Sequence, residues 1–467
     1  MSTHSISSTM AGYDVVVLGA GIAGLSAAAA AAEAGLTVAV LEKTDSIGGS
    51  SAMSGGFFAF SGTAEQAADA IGDSAEDFRD DLIRLGGGHA DVSLIDAYLE
   101  NQDATYAWLK EHGVAFSALE VSSGQSHARS HLSPIKDVLA ELARTVVEHG
   151  GVLFTRHRAT ELVTDPTGRV VGVRSSGPEG PTEFAARGGV VIASGGFSRG
   201  EDLLKVFAPE QLAGIPYGGL GNTGDGLKMA WKLGAGLADM SFVSGTYGSH
   251  PETGIEFHEL LTANYLGAII VNKDGRRFID ESVSYKVLGA ACLSQPGGLG
   301  FEVFDSTVRA RSHAGVPLND IGFLEDLGHV FKADTLEGLA DAAGINAVGL
   351  VETVEAYNRA VAGEQPDAYG RTGLVNGTGD LVPVLHPPFY AYPAKTLMTS
   401  TYCGLTITPQ AQVKDVTGHV IEGLFAVGEV TGGFHGAAYM TGTSLGKGAV
   451  FGRIAAHAIT AALTPAS

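Results

Sequence analysis

The apolar and polar positions change period sharply near the start of the chain. Val15, Val16, Val17 and Leu18 form a fully apolar run of strand length. Residues 19–24, Gly-Ala-Gly-Ile-Ala-Gly, interrupt it, and an alanine-rich stretch of helical length then runs to Gly35. A glycine there is placed to end a helix, since it enters the left-handed region without a Cβ clash. Thr37–Leu41 reads as a second strand, closed by Glu42. Farther on, "GGVVIASGGFSRG" predicts another strand that ends in the close turn Ala193-Ser194-Gly195-Gly196, and "TGDGLKMAWKLGA" predicts a helix entered through glycines.

The first break has a chemical reading. Gly19, Gly21 and Gly24 make G-x-G-x-x-G between a strand and a helix. The first glycine allows the tight turn, the second lets a pyrophosphate approach the backbone, and the third lets helix and strand pack closely. Phosphates are then held at a helix N-terminus by its N–H groups and dipole. Glu42, 18 residues after Gly24, is placed to accept hydrogen bonds from a ribose hydroxyl. Gly219, Gly221 and Gly224 repeat the spacing, but no apolar strand precedes them. That second match reads as a turn into a helix, so no second nucleotide site for NADPH is expected.

Bulk composition narrows the classes. The chain has 467 residues, enough for two domains and a sizeable core. Its net charge of −22 argues against nucleic acid or an anionic membrane as partner. Residues 1–14 have neither a basic start nor an apolar stretch of signal-peptide type, and no run reaches the roughly 18 apolar residues of a membrane span. Cys292 and Cys403 are the only cysteines, which fits a cytoplasmic protein with buried, inert thiols. No metal ligand set is expected.

Beyond Glu42, "EKTDSIGGSSAMSGGFFAFSG" is rich in small residues that let backbone and hydroxyl groups line a phosphate and a ribityl chain. With "ASGG", "NTGDG", "GAIIVNKDGRRFIDE" and "GLFAVGEVTGGFHG…TSLGKGAVFGR", the chain resembles the fumarate reductase/succinate dehydrogenase flavoprotein superfamily over roughly residues 12–462. The resemblance implies an α/β fold: a Rossmann-like FAD-binding domain (12–240 and 396–462) interrupted by an α+β capping, substrate-binding domain (241–395). It implies FAD held by Gly19, Gly21, Ala23, Gly24, Glu42, Lys43, Gly49, Ser50, Ser51, Ser54, Gly55, Gly56, Gly195, Asp225, Glu429, Ser444 and Leu445. Glu429 would hold the ribityl chain, with Ser444 and Leu445 at the pyrimidine end of the flavin. His127 and His131 do not match the family's covalent flavin-linking histidine, so non-covalent FAD is expected.

The pattern departs from the dicarboxylate reductases at their substrate-gripping positions. The cap arginine falls at Tyr285, the arginine after the "HG" histidine at Tyr439, and a substrate histidine at Ser400. An unpartnered buried carboxylate costs roughly 3–5 kcal/mol, which disfavours a dicarboxylate. Arg276 and Arg277 remain but are expected to point elsewhere. The two tyrosines resemble instead the 3-ketosteroid dehydrogenases and smaller cyclic-ketone desaturases. That branch implies that Tyr439 and the Gly442 N–H hold a ketone oxygen, that Tyr285 takes the α-proton, and that the β-hydrogen leaves as hydride to flavin N5. The expectation is thus an FAD-dependent dehydrogenase acting on a CH–CH bond of a small ketone, such as a 3-ketosteroid or 4-oxocyclohexanecarboxylate. Its electron acceptor is open among quinone, redox protein and oxygen. The alternatives are an ene-reductase, a dicarboxylate or organic-acid reductase, and a non-catalytic flavin electron-transfer subunit. A phenolate at pH 7 costs roughly 4 kcal/mol for a phenol of pKa near 10, so a cation is needed near Tyr285. His250 and Arg129 are the candidates. His435, Lys447 and Cys403 are expected to serve structure.

Overall fold

A computed structural model describes residues 11–122, 124–254, 260–316 and 318–464. The amino-terminal residues 1–10, read above for a signal peptide, lie outside the described residues. The described chain divides into two units. Residues up to Ala208, Gly218–Val243 and those from Ser400 form one; Pro209–Tyr217 and Ser244–Thr399 form the other.

The first unit is built on an eight-stranded sheet. Its opening elements are the strand Ala11–Leu18 (β1), the helix Ile22–Glu33 (α1) and the strand Val38–Leu41 (β2). β1 pairs in parallel with β2 (Val15 opposite Val38, Leu18 opposite Leu41) and, on its other side, with Gly180–Ile192 (β3). Val152–Phe154 and Val420–Ala426 extend this parallel core beyond β2 and β3. Val15–Leu18 are at most 2% exposed, as expected of a strand covered on both faces. β3 is longer than "GGVVIA" predicts, because its first half pairs antiparallel with Val170–Gly177.

Alanines are buried along α1 from Ala23 to Ala32. Their small side chains admit the helix Thr443–Leu463 at close range, where a Cβ on Gly452 would lie 2.6 Å from the Ala23 carbonyl oxygen. Gly35, at φ +81°, follows the end of α1. "TGDGLKMAWKLGA" forms the helix Asp225–Lys232 (α2) after Gly224 at φ +74°.

The second unit carries a six-stranded sheet centred on Phe389–Thr401. That strand pairs antiparallel with Leu299–Phe304, which pairs with Ile269–Val271. Strand alternation separates two cores. Ile270, Phe304, Tyr390 and Tyr392 enter one; Ile269, Phe301, Val303 and Ala391 enter the other. Glu302 is fully buried on this sheet, and burial pushes its carboxyl up to about 8 against two backbone N–H bonds.

Candidate functional site

The glycine turn is shaped by backbone proximity. Gly19 adopts φ +110°, and a Cβ on it would lie 2.4 Å from the Ala193 carbonyl oxygen; a Cβ on Gly24 would lie 1.9 Å from Gly19 O. Gly21, the N-cap of α1, has no side chain of its own to cap the helix. The Ile22 N–H donates to Ser51 Oγ at 3.1 Å, which brings the "GGSSAMSGG" segment to the helix start. This arrangement fits a pyrophosphate, because the backbone is approachable and the adjoining side chains are small or hydroxylic.

Glu42 is buried and already ties its surroundings together. One carboxylate oxygen accepts from Ala20 N–H at 3.0 Å, and the other accepts from the Thr44 N–H and hydroxyl at 2.8 Å each. A carboxylate offers about four lone-pair sites, so these bonds orient it while leaving capacity for a hydroxyl donor. Lys43 and Asp225, 182 positions apart, form an ion pair of 2.9 Å. Lys43 also donates to Thr223 Oγ1, and Arg158 donates twice to Asp225. Burial opposes charge on Asp225, but Arg158 and Lys43 hold its carboxyl down at about 2.

Three predicted segments meet at Glu429. Its carboxylate accepts from Asn222 Nδ2 (2.8 Å), Thr401 N–H (2.9 Å) and Ser400 Oγ (3.1 Å). Ser50 Oγ in turn accepts from Gly219 N–H (2.9 Å) and Asn222 Nδ2 (3.2 Å). Gly195 (φ +72°) and Gly196 border the same cluster, and a Cβ on Gly196 would lie 2.7 Å from Glu429 Oε1. The "NTGDG" loop is therefore a turn into a helix, as expected, and also the bridge between Ser50 and Glu429. Asn222 and Thr401 are not singled out by the sequence, and Ser400 only as the position of a missing substrate histidine. Ser54 Oγ donates to Ser51 O and accepts from Gly56 N–H, which shapes the turn through Gly55.

Ser444 and Leu445 lie in the first turn of the helix Thr443–Leu463, and Gly442 caps it at φ +89°. The half-buried Tyr439 accepts a hydrogen bond on its hydroxyl from the Gly442 N–H at 3.0 Å. Its ring stacks on Tyr402 (5.2 Å between centres, 13° apart). The loop beneath is pinned: Ala437 N–H donates to Gly86 O, Ala59 N–H to Gly442 O, and Asp239 accepts from Gly433 N–H. His435 Nε2 lies 2.9 Å from Thr443 Oγ1. The buried Lys447 donates to Thr431 O at 2.8 Å, and burial pushes it down to about 8.

In the second unit Tyr285 is the first residue of the helix Tyr285–Leu293, capped by Ser284. The next residue, Lys286, carries its ammonium 5.9 Å from the Tyr285 ring centre. Burial pushes Lys286 down to about 8. This cation was missed from sequence although it adjoins Tyr285. Of the two candidate cations, Arg129 is buried against Asp73 (2.6 Å) and Asp81 (2.5 Å), and His250 stacks on His329.

The arginines of the "GRRF" segment are committed to carboxylates of the chain. Arg277 pairs with Glu281 and Asp367, and Arg276 with Glu352. His131 meets Thr63 Oγ1 and Arg129 O at 2.7 Å each, and burial lowers its pKa. Cys292 and Cys403 are buried free thiols, and burial pushes Cys292 up to about 12. Among the described residues no helix is long and apolar enough to cross a membrane.

Comparison with known proteins agrees with this geometry. The model of the FAD binding domain family matches residues 14–445. A protein named probable fumarate reductase Ifc3, of Shewanella frigidimarina, is 31% identical over 94% of this chain and 74% of its own length. The open conformation of a flavocytochrome c3 fumarate reductase superposes with TM-score 0.84 at 30% identity, covering 97% of this chain and 79% of that one. The 3-ketosteroid-Δ4-(5α)-dehydrogenase of Rhodococcus jostii RHA1 superposes with TM-score 0.77 at 27% identity, covering 98% and 99%. With the glycine turn, the Glu429 cluster and a family match over most of its length, the chain belongs to the FAD binding domain family, within the fumarate reductase/succinate dehydrogenase flavoprotein superfamily, and is an FAD-dependent oxidoreductase.

Proposed function

We propose that the protein desaturates a cyclic ketone at its α,β carbon–carbon bond. The observation that carries this reading is the pairing of the Tyr439 hydroxyl with the Gly442 amide at 3.0 Å, on the loop entering the helix Thr443–Leu463. A phenol and an amide N–H are neutral donors. Together they suit a carbonyl oxygen that becomes negative during reaction, as an oxyanion hole does, once that oxygen replaces the tyrosine oxygen as acceptor of the amide hydrogen. A carboxylate substrate would call for guanidinium groups, and Arg276 and Arg277 are engaged by Glu352, Glu281 and Asp367.

In this reading the FAD-binding parts are 12–240 and 396–462, and 241–395 is the capping, substrate-side part. Tyr439 and Gly442 hold the ketone oxygen, and Tyr285 takes the α-proton. Bound FAD supplies the two-electron acceptor for the β-hydrogen, and an external acceptor must then reoxidise it. Lys286 is the cation that makes Tyr285 competent as a base. Both residues sit at the N-terminal end of one helix, where the dipole favours a phenolate and disfavours an ammonium. Non-covalent FAD is supported by His131, whose two ring nitrogens both have protein partners. Two buried free thiols fit a cytoplasmic setting.

The reductive direction is a second reading, favoured by the 31% identity to a protein named as a fumarate reductase. One anaerobic experiment separates the two. Oxidised enzyme is mixed with cyclohexanone, 4-oxocyclohexanecarboxylate, a 3-ketosteroid or succinate, and dithionite-reduced enzyme with cyclohexenone or fumarate. Bleaching of the flavin band by a ketone, slowed in Tyr439→Phe, supports the desaturase. Reoxidation by fumarate with no response to any ketone or enone sinks it.

A further inference from the structure

The second unit gathers one group of metal-type ligands among its described residues. His250, Glu252 and His329 each offer a donor atom, and these atoms all lie within 4.8 Å of one another. The two imidazoles are 3.8 Å apart between centres and 32° from parallel. His250 is 7% exposed and backed by the Tyr392 ring at 5.7 Å, whereas Glu252 is exposed and able to swing. Both ligand-bearing turns are fixed by backbone bonds. Thr253 N–H donates to His250 O at 3.1 Å, and His329 N–H donates to Leu324 O at 3.0 Å.

We propose that His250, Glu252 and His329 form a binding site for a divalent first-row cation of the zinc class, which clamps the turn after Val243–Ser249 to the turn after Ile321–Asp326. Two imidazole nitrogens and one carboxylate are a donor set that zinc accepts in three-residue sites, a water completing the tetrahedron. Tetrahedral zinc at metal–ligand lengths of about 2.0–2.1 Å needs its ligand atoms roughly 3.3 Å apart. The present spacing must therefore contract by up to about 1.5 Å, within the reach of a Glu252 rotamer change. Nδ1 of His250 accepts from the Glu252 N–H at 3.2 Å. A cation taking the lone pair of that nitrogen replaces a long hydrogen bond. Stacking of two rings alone would not require the carboxylate to approach both. No metal is expected from the sequence, in which the two histidines stand 79 positions apart.

The test is a Zn²⁺ titration of the chelator-treated, flavin-loaded protein by calorimetry, beside His329→Gln and Glu252→Gln. One equivalent is expected to bind the parent protein, raise its melting temperature, and bind His329→Gln roughly tenfold or more weakly. An unchanged flavin spectrum in the variants shows that each is folded. As a measurement free of any variant, Co²⁺ added in place of zinc is expected to give intense tetrahedral visible bands. Zn²⁺ affinity equal in parent and His329→Gln, or a cobalt spectrum matching the aquo ion, overturns the proposal.

Discussion

The hydroxyl of Tyr439 accepts a hydrogen bond from the amide of Gly442, three residues on, at 3.0 Å. The amide hydrogen is spent on the tyrosine oxygen in this bond, so a ketone oxygen held by both groups must take the place of that oxygen as the amide's acceptor. Gly442 is held at φ +89° against Phe58 and Ala59, and the Tyr402 ring backs Tyr439. The donors are thus pre-positioned by packing. Tyr439→Phe keeps the stack and removes one donor. Its kcat with a ketone is expected to fall about 10²–10³-fold, with the flavin spectrum unchanged. Stopped-flow bleaching measures this, and a loss below threefold would remove Tyr439 from the chemistry.

Tyr285 and Lys286 predict a pH profile. Burial pushes Lys286 down to about 8, so above that pH its amine is neutral and able to take the proton of the neighbouring phenol. Turnover is therefore expected to rise with pH through about 8. In Lys286→Met the phenol must ionise alone, near its ordinary value of about 10. The rising limb should then move up by roughly one to two pH units, while Lys286→Arg, which keeps a cation but cannot lose its proton, lies between. Identical profiles in parent and Lys286→Met would separate the lysine from the base.

The opening strand–helix–strand was legible because its signals are local. Val15–Leu18 is apolar throughout, the glycines follow at once, and Gly35 marks the helix end. β3 was read short, since the pairing that extends it comes from Val170–Gly177, a segment with no isolated strand pattern of its own. Lys43 and Asp225 were each assigned to the cofactor through the resemblance, but their ion pair spans 182 positions and only the fold brings it together. Glu42 was placed by its distance from the glycine turn; its bonds to Ala20 and Thr44 depend on backbone geometry that side-chain type does not encode. Asn222 stood inside a quoted motif, yet its contacts with Ser50 and Glu429 join residues 172 and 207 positions away. Lys286 adjoins Tyr285 in the chain. What was illegible there was its burial, which pushes it down to about 8.

Glu429 should control FAD retention. Its carboxylate organises Asn222, Ser400 and Thr401, and through Asn222 it reaches Ser50. Glu429→Gln turns one acceptor oxygen into a donor facing the Thr401 N–H or the Asn222 amide. An unmatched buried donor costs about 1–3 kcal/mol, so FAD affinity is expected to fall roughly tenfold or more. The fluorescence of FAD released on dilution reports this directly. Retention equal to the parent would mean that the cluster only braces the fold.

Acid stability follows from Asp225. Its carboxyl, held at about 2 in the folded protein by Arg158 and Lys43 against burial, has an ordinary value of 3.8. A carboxyl depressed on folding stabilises fully above its unfolded value, and that stability is lost as pH falls through the folded value. The window here is about pH 4 down to 2, and the contribution is roughly 2 kcal/mol at neutral pH. The side chain is only 13% exposed, so solvent screening discounts this little. Asp225→Asn is therefore expected to lower the urea midpoint at pH 6 and to flatten the decline in stability between pH 4 and 2. Lys43→Met removes one of the two cations and should produce a smaller loss of the same sign. A variant as stable as the parent at pH 6, with an unchanged acid limb, would show that the Lys43–Asp225–Arg158 group contributes no net stability and that acid unfolding is governed by other carboxylates, such as Asp81, whose pKa Arg129 and Arg84 lower against burial.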